Sequence, residues 1–196
     1  MSKATLKILP GRLAICILFL ASASAGFASA NLLTNGDFET GTFAGWTTTP
    51  AATGSNFGVS ALPPAHDTLG AFFSASGSGL DSISQTFATT PGALYDFSFF
   101  YQPVSTVPPN NHFIAFFNGV NLYENADTNS GFITLTFTNL LATGITTTVE
   151  FDARSATGTD FLDDVSVTAA VPDAGTTLSL FGLSLTGLGF LRRKLC

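Results

Sequence analysis

Apolar and polar residues alternate along several short runs between Asn31 and Ala170. Aromatic residues occupy every second position from Tyr95 to Tyr101, and Ile133–Thr138 alternates large apolar residues with Thr. In Thr148–Asp152 the apolar residues interleave with Thr, Glu and Asp. A period of two with one apolar face is typical of antiparallel strands packed on a single core.

Turn-forming clusters separate these runs, for example Asn35-Gly36, Thr90-Pro91-Gly92 and Asn118-Gly119. No stretch of the same segment has a 3.6-residue apolar period long enough for a helix. Short strands with frequent turns predict an all-β fold, a single antiparallel β-sandwich of the jelly-roll type. The uncharged stretch Thr47–Ser60 is predicted to be a surface loop between the first strands.

The first thirty residues have the three parts of a secretory signal peptide. An apolar run, Leu13–Leu20, is too short for the roughly 20 residues that span a bilayer. Beyond this run, Ala28-Ser29-Ala30 has the small-x-small pattern that signal peptidase accepts, so cleavage is predicted before Asn31. Three basic residues precede the run: Lys3, Lys7 and Arg12.

The composition changes again at Val171, where a third segment, 171–196, begins. The motif residues are Val171, Pro172, Asp173 and Gly175. The apolar run Leu178–Leu191 follows and predicts a transmembrane helix about 21 Å long at 1.5 Å per residue. Arg192, Arg193 and Lys194 come last and orient the helix, because basic clusters stay on the cytoplasmic side. This order places the segment 31–170 outside the cell.

Motif, apolar helix and basic cluster in this order resemble the VPD-SG variant of the PEP-CTERM sorting signals, with Ala174 in the Ser position. The resemblance implies processing by an exosortase-type transpeptidase. A single-pass membrane precursor would then become a protein of the cell surface or extracellular biofilm matrix. An ordinary C-terminal membrane anchor is the alternative.

The middle segment is strongly acidic. Arg154 is its only Lys or Arg, against twelve Asp and Glu, so its net charge is near −11. Such a surface repels phosphate groups, which excludes nucleic acid as a partner. The two cysteines, Cys16 and Cys196, lie outside this segment, so no disulfide framework forms there.

Both ends of the middle segment carry a distinctive pattern. Asn31–Glu39 and Gly45-Trp46 open it, and Phe161–Val167 closes it. Together with Tyr95–Phe99, these stretches resemble carbohydrate-binding modules with the galactose-binding-like jelly-roll fold. In that family the first and last strands lie side by side.

The closing strand contains a carboxylate, Asp163, that the pattern predicts to be buried. Alternation places Phe161, Asp163, Val165 and Val167 on one face, and their apolar character predicts that this face is the inner one. Asp163 would then be buried, and a buried carboxylate needs a cation or several hydrogen-bond donors.

The resemblance implies a structural Ca²⁺ near this carboxylate, held by carboxylate and carbonyl oxygens. Glu39 and Asp163 match the family's ligand positions, with Asp164 and Asp37 as substitutes. The alternative is that Asp163 accepts backbone N–H bonds without a metal.

The acidic pairs do not favour catalysis. Asp163 and Asp164 are neighbours on a strand and point to opposite faces, and Glu150 and Asp152 share the polar face of theirs. Glycoside hydrolysis needs a protonated carboxyl in a cleft, which no pair here indicates. We therefore expect a non-enzymatic, exported surface or matrix protein.

A carbohydrate-binding protein that attaches to exopolysaccharide is the alternative. Sugars bind to aromatic rings helped by amide and carboxylate groups. The candidate residues are Trp46, Tyr101, Gln102 and Tyr123. Trp46 belongs to the opening motif, where packing against the core competes with a role in binding.

Overall fold

A computed structural model describes residues 29–61, 68–104, 111–126 and 131–170. The described residues contain ten strands and no helix. The strands are β1 (Thr47–Thr49), β2 (Phe57–Ala61), β3 (Leu69–Phe73), β4 (Asp81–Ala88), β5 (Leu94–Gln102), β6 (Asn111–Phe117), β7 (Val120–Asn125), β8 (Ile133–Leu141), β9 (Thr146–Ser155) and β10 (Asp160–Ala169).

These strands form two antiparallel sheets of five strands each. The first sheet has the order β1-β4-β9-β6-β7 and the second the order β2-β3-β10-β5-β8. The sheets pack through their apolar faces, which confirms the predicted all-β sandwich.

Aromatic rings fill the space between the sheets. Phe97 and Phe99 from the second sheet are fully buried against Phe113 and Phe151 from the first. The Phe99 and Phe151 ring centroids lie 5.0 Å apart in an edge-to-face arrangement, which aromatic pairs favour. The period-two pattern of the sequence therefore located the inner faces of β5 and β9 correctly.

The prediction of a loop over Thr47–Ser60 is wrong at both ends. Its Thr-rich start is β1, which pairs with β4, and its end belongs to β2. Buried Asp81 fixes the true loop between them: its two carboxylate oxygens accept the N–H groups of Ala51 at 2.8 Å and Asn56 at 3.1 Å.

The opening motif lies along β10, as the resemblance implied. The N–H of Leu32 donates to the Val167 carbonyl at 2.8 Å, and the N–H of Val165 donates to the Gly36 carbonyl at 2.9 Å. The Asn31 amide adds a bond from its Nδ2 to the Val165 carbonyl at 2.9 Å. The two ends of the domain are thus joined through backbone and amide groups.

Candidate functional site

The outer face of the second sheet carries a group of aromatic side chains that do not belong to the core. Phe161 of β10 lies directly across from Phe72 of β3 on one side and from Gln102 of β5 on the other. Phe100 precedes Gln102 by two positions on β5 and so points the same way. All four side chains are half-buried. We call this group the phenylalanine face: Phe72, Phe100, Phe161 and Gln102.

An irregularity in β10 puts Phe161 on this face. The pairing of β10 with β5 shifts register between Asp163 and Ser166, and Asp164 has a φ of 47°. The inner set is therefore Leu162 before the shift and Val165 and Val167 after it, while Asp163 pairs with Phe100 at the start of the bulge. The prediction that Phe161 faces inward is wrong, because the alternation does not hold across a bulge. The predicted burial of Asp163 is confirmed.

Gly58 of β2 extends the same row to the next strand. It pairs directly with Phe72, and a Cβ at Gly58 would approach the Phe72 ring to 2.8 Å. The Phe72 ring therefore lies over the backbone of β2 and occupies the space that a side chain at position 58 would need. An aromatic ring that covers a glycine in this way supports the register of two neighbouring strands.

Gln102 brings an amide to the phenylalanine face. Its Oε1 is buried and has no hydrogen-bond partner among the described residues. Such an atom has lost its water without compensation, a cost of about 1–3 kcal/mol in proteins. Because this oxygen is enclosed, it is not presented to a ligand on the surface of the face.

Hydroxyl groups continue the surface beyond the rings. Ser166 of β10 pairs with Ser98 of β5, and Thr134 and Thr136 of β8 pair with Phe100 and Ser98. The two threonines are exposed. The second sheet thus offers rings at one end of its outer face and hydroxyls beside them.

Trp46 and Tyr101, two of the predicted sugar-binding residues, lie in the core instead. The Trp46 ring packs against Phe38 and Phe151, and its Nε1 donates to the Asn35 carbonyl at 3.0 Å. Tyr101 stacks on Phe113 with ring centroids 3.9 Å apart. Both predictions need correction, because an aromatic ring buried on both faces offers no surface to a sugar.

Tyr123 and Gln102 are not brought together either. Tyr123 is half-buried on β7, at the edge of the first sheet, and its ring contacts Tyr101 and Phe113 edge-on. Of the four predicted residues, Gln102 alone lies on the phenylalanine face. The phenylalanines there escaped prediction because no phenylalanine was among the candidate sugar-binding residues. The unbroken pattern Phe99-Phe100-Tyr101 was the available signal that one ring points outward.

A buried polar cluster surrounds Asp160 at the start of β10. Its Oδ2 accepts the Tyr101 hydroxyl at 3.0 Å, and its Oδ1 accepts the Val104 N–H at 3.2 Å and the Ser155 hydroxyl at 3.4 Å. Burial raises the pKa of Asp160 to about 6, since desolvation outweighs these three bonds. Burial also raises the pKa of Tyr101 and Tyr123, with a further contribution from the Asp160 charge.

A polar cavity of about 320 Å³ lies beside the opening motif. Asn35, Gly36, Asp37 and Asp164 line it together with Asn31, Leu33 and Val165. Two of the four predicted calcium ligands, Asp37 and Asp164, therefore share one cavity.

The other two predicted ligands are engaged by backbone. Glu39 Oε1 accepts the N–H groups of Thr68 at 2.9 Å and Leu69 at 2.8 Å, and Asp163 Oδ1 accepts the Asp164 N–H at 2.8 Å. No three His, Cys, Asp or Glu side chains gather into a metal-binding group within the described parts of the chain. A calcium site stays a prediction, with Asp37 and Asp164 as the pair that the fold brings closest to that role.

The C-terminal segment lies outside the described residues, so its predicted membrane helix has no structural account. Residues 170–195 match the model of the VPDSG-CTERM motif, which confirms the sorting signal predicted from Val171, Pro172, Asp173 and Gly175. Within the described ranges, no helix is long and apolar enough to span a membrane.

Solved structures resemble the sandwich. TmCBM61 in complex with β-1,4-galactotriose is 19% identical, with a TM-score of 0.58 over 72% of this chain and 100% of that chain. A xylan-binding CBM22 domain from Paenibacillus barcinonensis is 16% identical, with a TM-score of 0.52 over 76% of this chain and 100% of that chain. The K1 cleaved adhesin domain of Lys-gingipain from Porphyromonas gingivalis is 15% identical, with a TM-score of 0.53 over 69% of this chain and 96% of that chain.

No curated protein sequence matches this chain significantly. The solved structures establish a carbohydrate-binding-module-like β-sandwich, and their low identities limit the likeness to the fold. The chain is therefore a surface-directed protein with a C-terminal VPDSG-CTERM sorting signal and a sandwich of this class.

Proposed function

We propose that this protein is a non-enzymatic component of the cell surface or extracellular matrix that attaches to polysaccharide through its phenylalanine face. The observation that carries the proposal is the row of half-buried rings on the outer face of the second sheet, with the exposed hydroxyls of Thr134 and Thr136 beside them.

Sugar rings present C–H groups on one side and hydroxyls at the edge. Aromatic faces contact the C–H groups, and a small number of polar groups set the orientation of the ligand. Phe72 and Phe161 supply adjacent ring surfaces on neighbouring strands. The exposed threonines of β8 lie within the same outer face.

The carboxylates support a role without catalysis. Glu150 and Asp152 are half-buried on the outer face of the first sheet, and Glu150 accepts the Ser82 hydroxyl at 3.1 Å. Asp160 has a raised pKa, as an acid catalyst requires, but it is enclosed with Tyr101 in the interior. A general acid must reach the substrate within hydrogen-bond distance.

The sorting signal supports the location. In a tail of this kind the motif Val171-Pro172-Asp173 precedes the apolar run, and Arg192–Lys194 holds the end of the chain on the cytoplasmic side. An exosortase-type transpeptidase would cut near the motif and release the sandwich to the surface, by the same logic as GPI signals.

Polysaccharide binding is tested with the segment 28–173, which forms one compact unit and includes all ten strands. Retention on a panel of immobilised polysaccharides is compared between wild type, Phe161→Ala and Phe72→Ala. We expect each substitution to weaken retention at least tenfold. Phe116→Ala is the matched control, because Phe116 is a half-buried ring on the outer face of the other sheet.

The thermal midpoint of each variant separates binding from folding. Loss of retention in Phe161→Ala at an unchanged midpoint supports the proposal. Equal retention of wild type and both variants, or equal loss in the Phe116→Ala control, contradicts the assignment of the face.

The processing step is tested by mass spectrometry of the protein isolated from its native cell. The mature chain is expected to begin at Asn31 and to lack the residues beyond about Val171. An intact C terminus ending at Cys196 in the surface fraction would instead indicate a permanent membrane anchor.

A further inference from the structure

We infer that the polysaccharide bound by the phenylalanine face is neutral, without uronate, sulfate or phosphate groups. The inference rests on the proposed function and narrows it to one chemical class of ligand.

The second sheet has no cation to offer an acidic polymer. Its five strands contain no Lys or Arg, and their carboxylates are Asp96, Asp160, Asp163 and Asp164. Sugar acids, sulfates and phosphates are bound mainly by Arg and Lys through charge-assisted hydrogen bonds. The outer face of this sheet lacks the groups that such recognition requires.

The domain's basic residue lies on the other sheet. Arg154 belongs to β9, directly across from His112 of β6, and its Nη1 donates to the Ser78 carbonyl at 2.9 Å. The phenylalanine face therefore belongs to an acidic domain with a net charge near −11, and Arg154 provides no positive charge at that face. A charge of that size repels an anionic chain at low ionic strength.

The groups that are present suit hydroxylated, uncharged sugars. Ser98, Ser166, Thr134 and Thr136 can each donate and accept hydrogen bonds, as sugar hydroxyls do. Asp96 is the carboxylate that shares the outer face of β5, and its Oδ1 already accepts the Asn139 N–H at 3.0 Å. Rings and hydroxyls together match a neutral glycan.

The test compares retention of the segment 28–173 on two neutral polymers, β-1,4-galactan and β-1,4-xylan, and two acidic ones, alginate and polygalacturonate. At low salt we expect retention by at least one neutral polymer and by neither acidic one. Stronger retention on an acidic polymer would overturn the inference and leave the proposed function standing. Retention by none of the four, followed by none on a wider panel, would overturn both.

A gain of function tests the electrostatic reason. Thr134→Lys/Thr136→Lys adds two cations to exposed positions beside Phe100, and Thr86→Lys/Ala88→Lys adds two to exposed positions of β4 on the first sheet. We expect the first pair to confer retention on alginate that the wild type lacks, and this gain to vanish at high salt because exposed ion pairs are screened. An equal gain in both pairs, or none in either, would contradict the role of the face.

Discussion

At the residue scale, Asp160 shows how strongly the interior alters a side chain. Its carboxyl group lies among Tyr101, Ser155 and the backbone of Val104, all of which donate hydrogen bonds to it. Removal from water still dominates, so the pKa of Asp160 rises to about 6. The folded protein therefore holds a proton that the unfolded chain releases near pH 4.

This difference predicts a specific dependence of stability on pH. Because the pKa of Asp160 is higher in the folded state, its contribution to stability is fully present below about pH 4 and is lost as the pH rises to about 6. The loss amounts to about 3 kcal/mol. Urea unfolding of wild type and Asp160→Asn between pH 4 and pH 7 measures it.

The Asp160→Asn protein is expected to lose this part of the pH dependence, because an amide does not titrate. Asp152→Asn, which removes the same charge from the half-buried outer face of β9, is the control. A slope that persists in Asp160→Asn would assign the titration to another group.

At the element scale, the contact between the opening motif and β10 decides how the domain closes. Gly36 makes this contact possible, because its Cα lies against the Val165 carbonyl and an added Cβ would overlap that oxygen. The same residue accepts the Val165 N–H through its own carbonyl. The neighbouring bulge of β10 then directs Asp164 to the cavity that Asp37 also lines.

Gly36→Ala is therefore expected to destabilise the domain by about 2–4 kcal/mol, since backbone must move on both sides of the contact. Chemical denaturation measures the change. Gly131→Ala is the matched control, because nothing lies within 4 Å of a Cβ added there. A change below about 1 kcal/mol in Gly36→Ala would show that the motif detaches from β10 without cost.

At the scale of the whole molecule, the excess of negative charge governs behaviour towards ions. A net charge near −11 on one domain disfavours the compact state through self-repulsion and attracts divalent cations. Calcium bound at the cavity of Asp37 and Asp164 would relieve part of this repulsion where the two ends of the domain meet.

We accordingly expect millimolar Ca²⁺ to raise the thermal midpoint of the segment 28–173 by several degrees relative to EDTA, as a ligand bound to the folded state does. The shift should shrink in Asp37→Asn/Asp164→Asn and persist in Glu150→Gln/Asp152→Asn, which removes the same charge elsewhere. An equal shift in both double variants would mean general screening of charge without a site.

Much of the fold could be predicted because the alternation of apolar and polar residues along each strand is a local property of the sequence. Every second residue is apolar from Tyr95 to Tyr101 in β5 and from Val149 to Ala153 in β9, and burial follows that alternation. The prediction for β10 was wrong at Phe161 because the position of a bulge depends on how neighbouring strands pair. The same dependence hid the phenylalanine face, whose rings come from three different strands.

The amino-acid sequence was enough to predict the class of fold, the acidic composition and the C-terminal sorting signal. Each of these follows from composition or from residues that are contiguous in the chain, so no contact between distant residues was needed. Which aromatic rings face outward depends on the packing of the two sheets. Trp46 and Tyr101 are chemically suited to bind sugar, yet this packing buries them. Phe72 and Phe161 take the outer position instead, because strand pairing, which joins residues far apart in sequence, sets the face to which each side chain points.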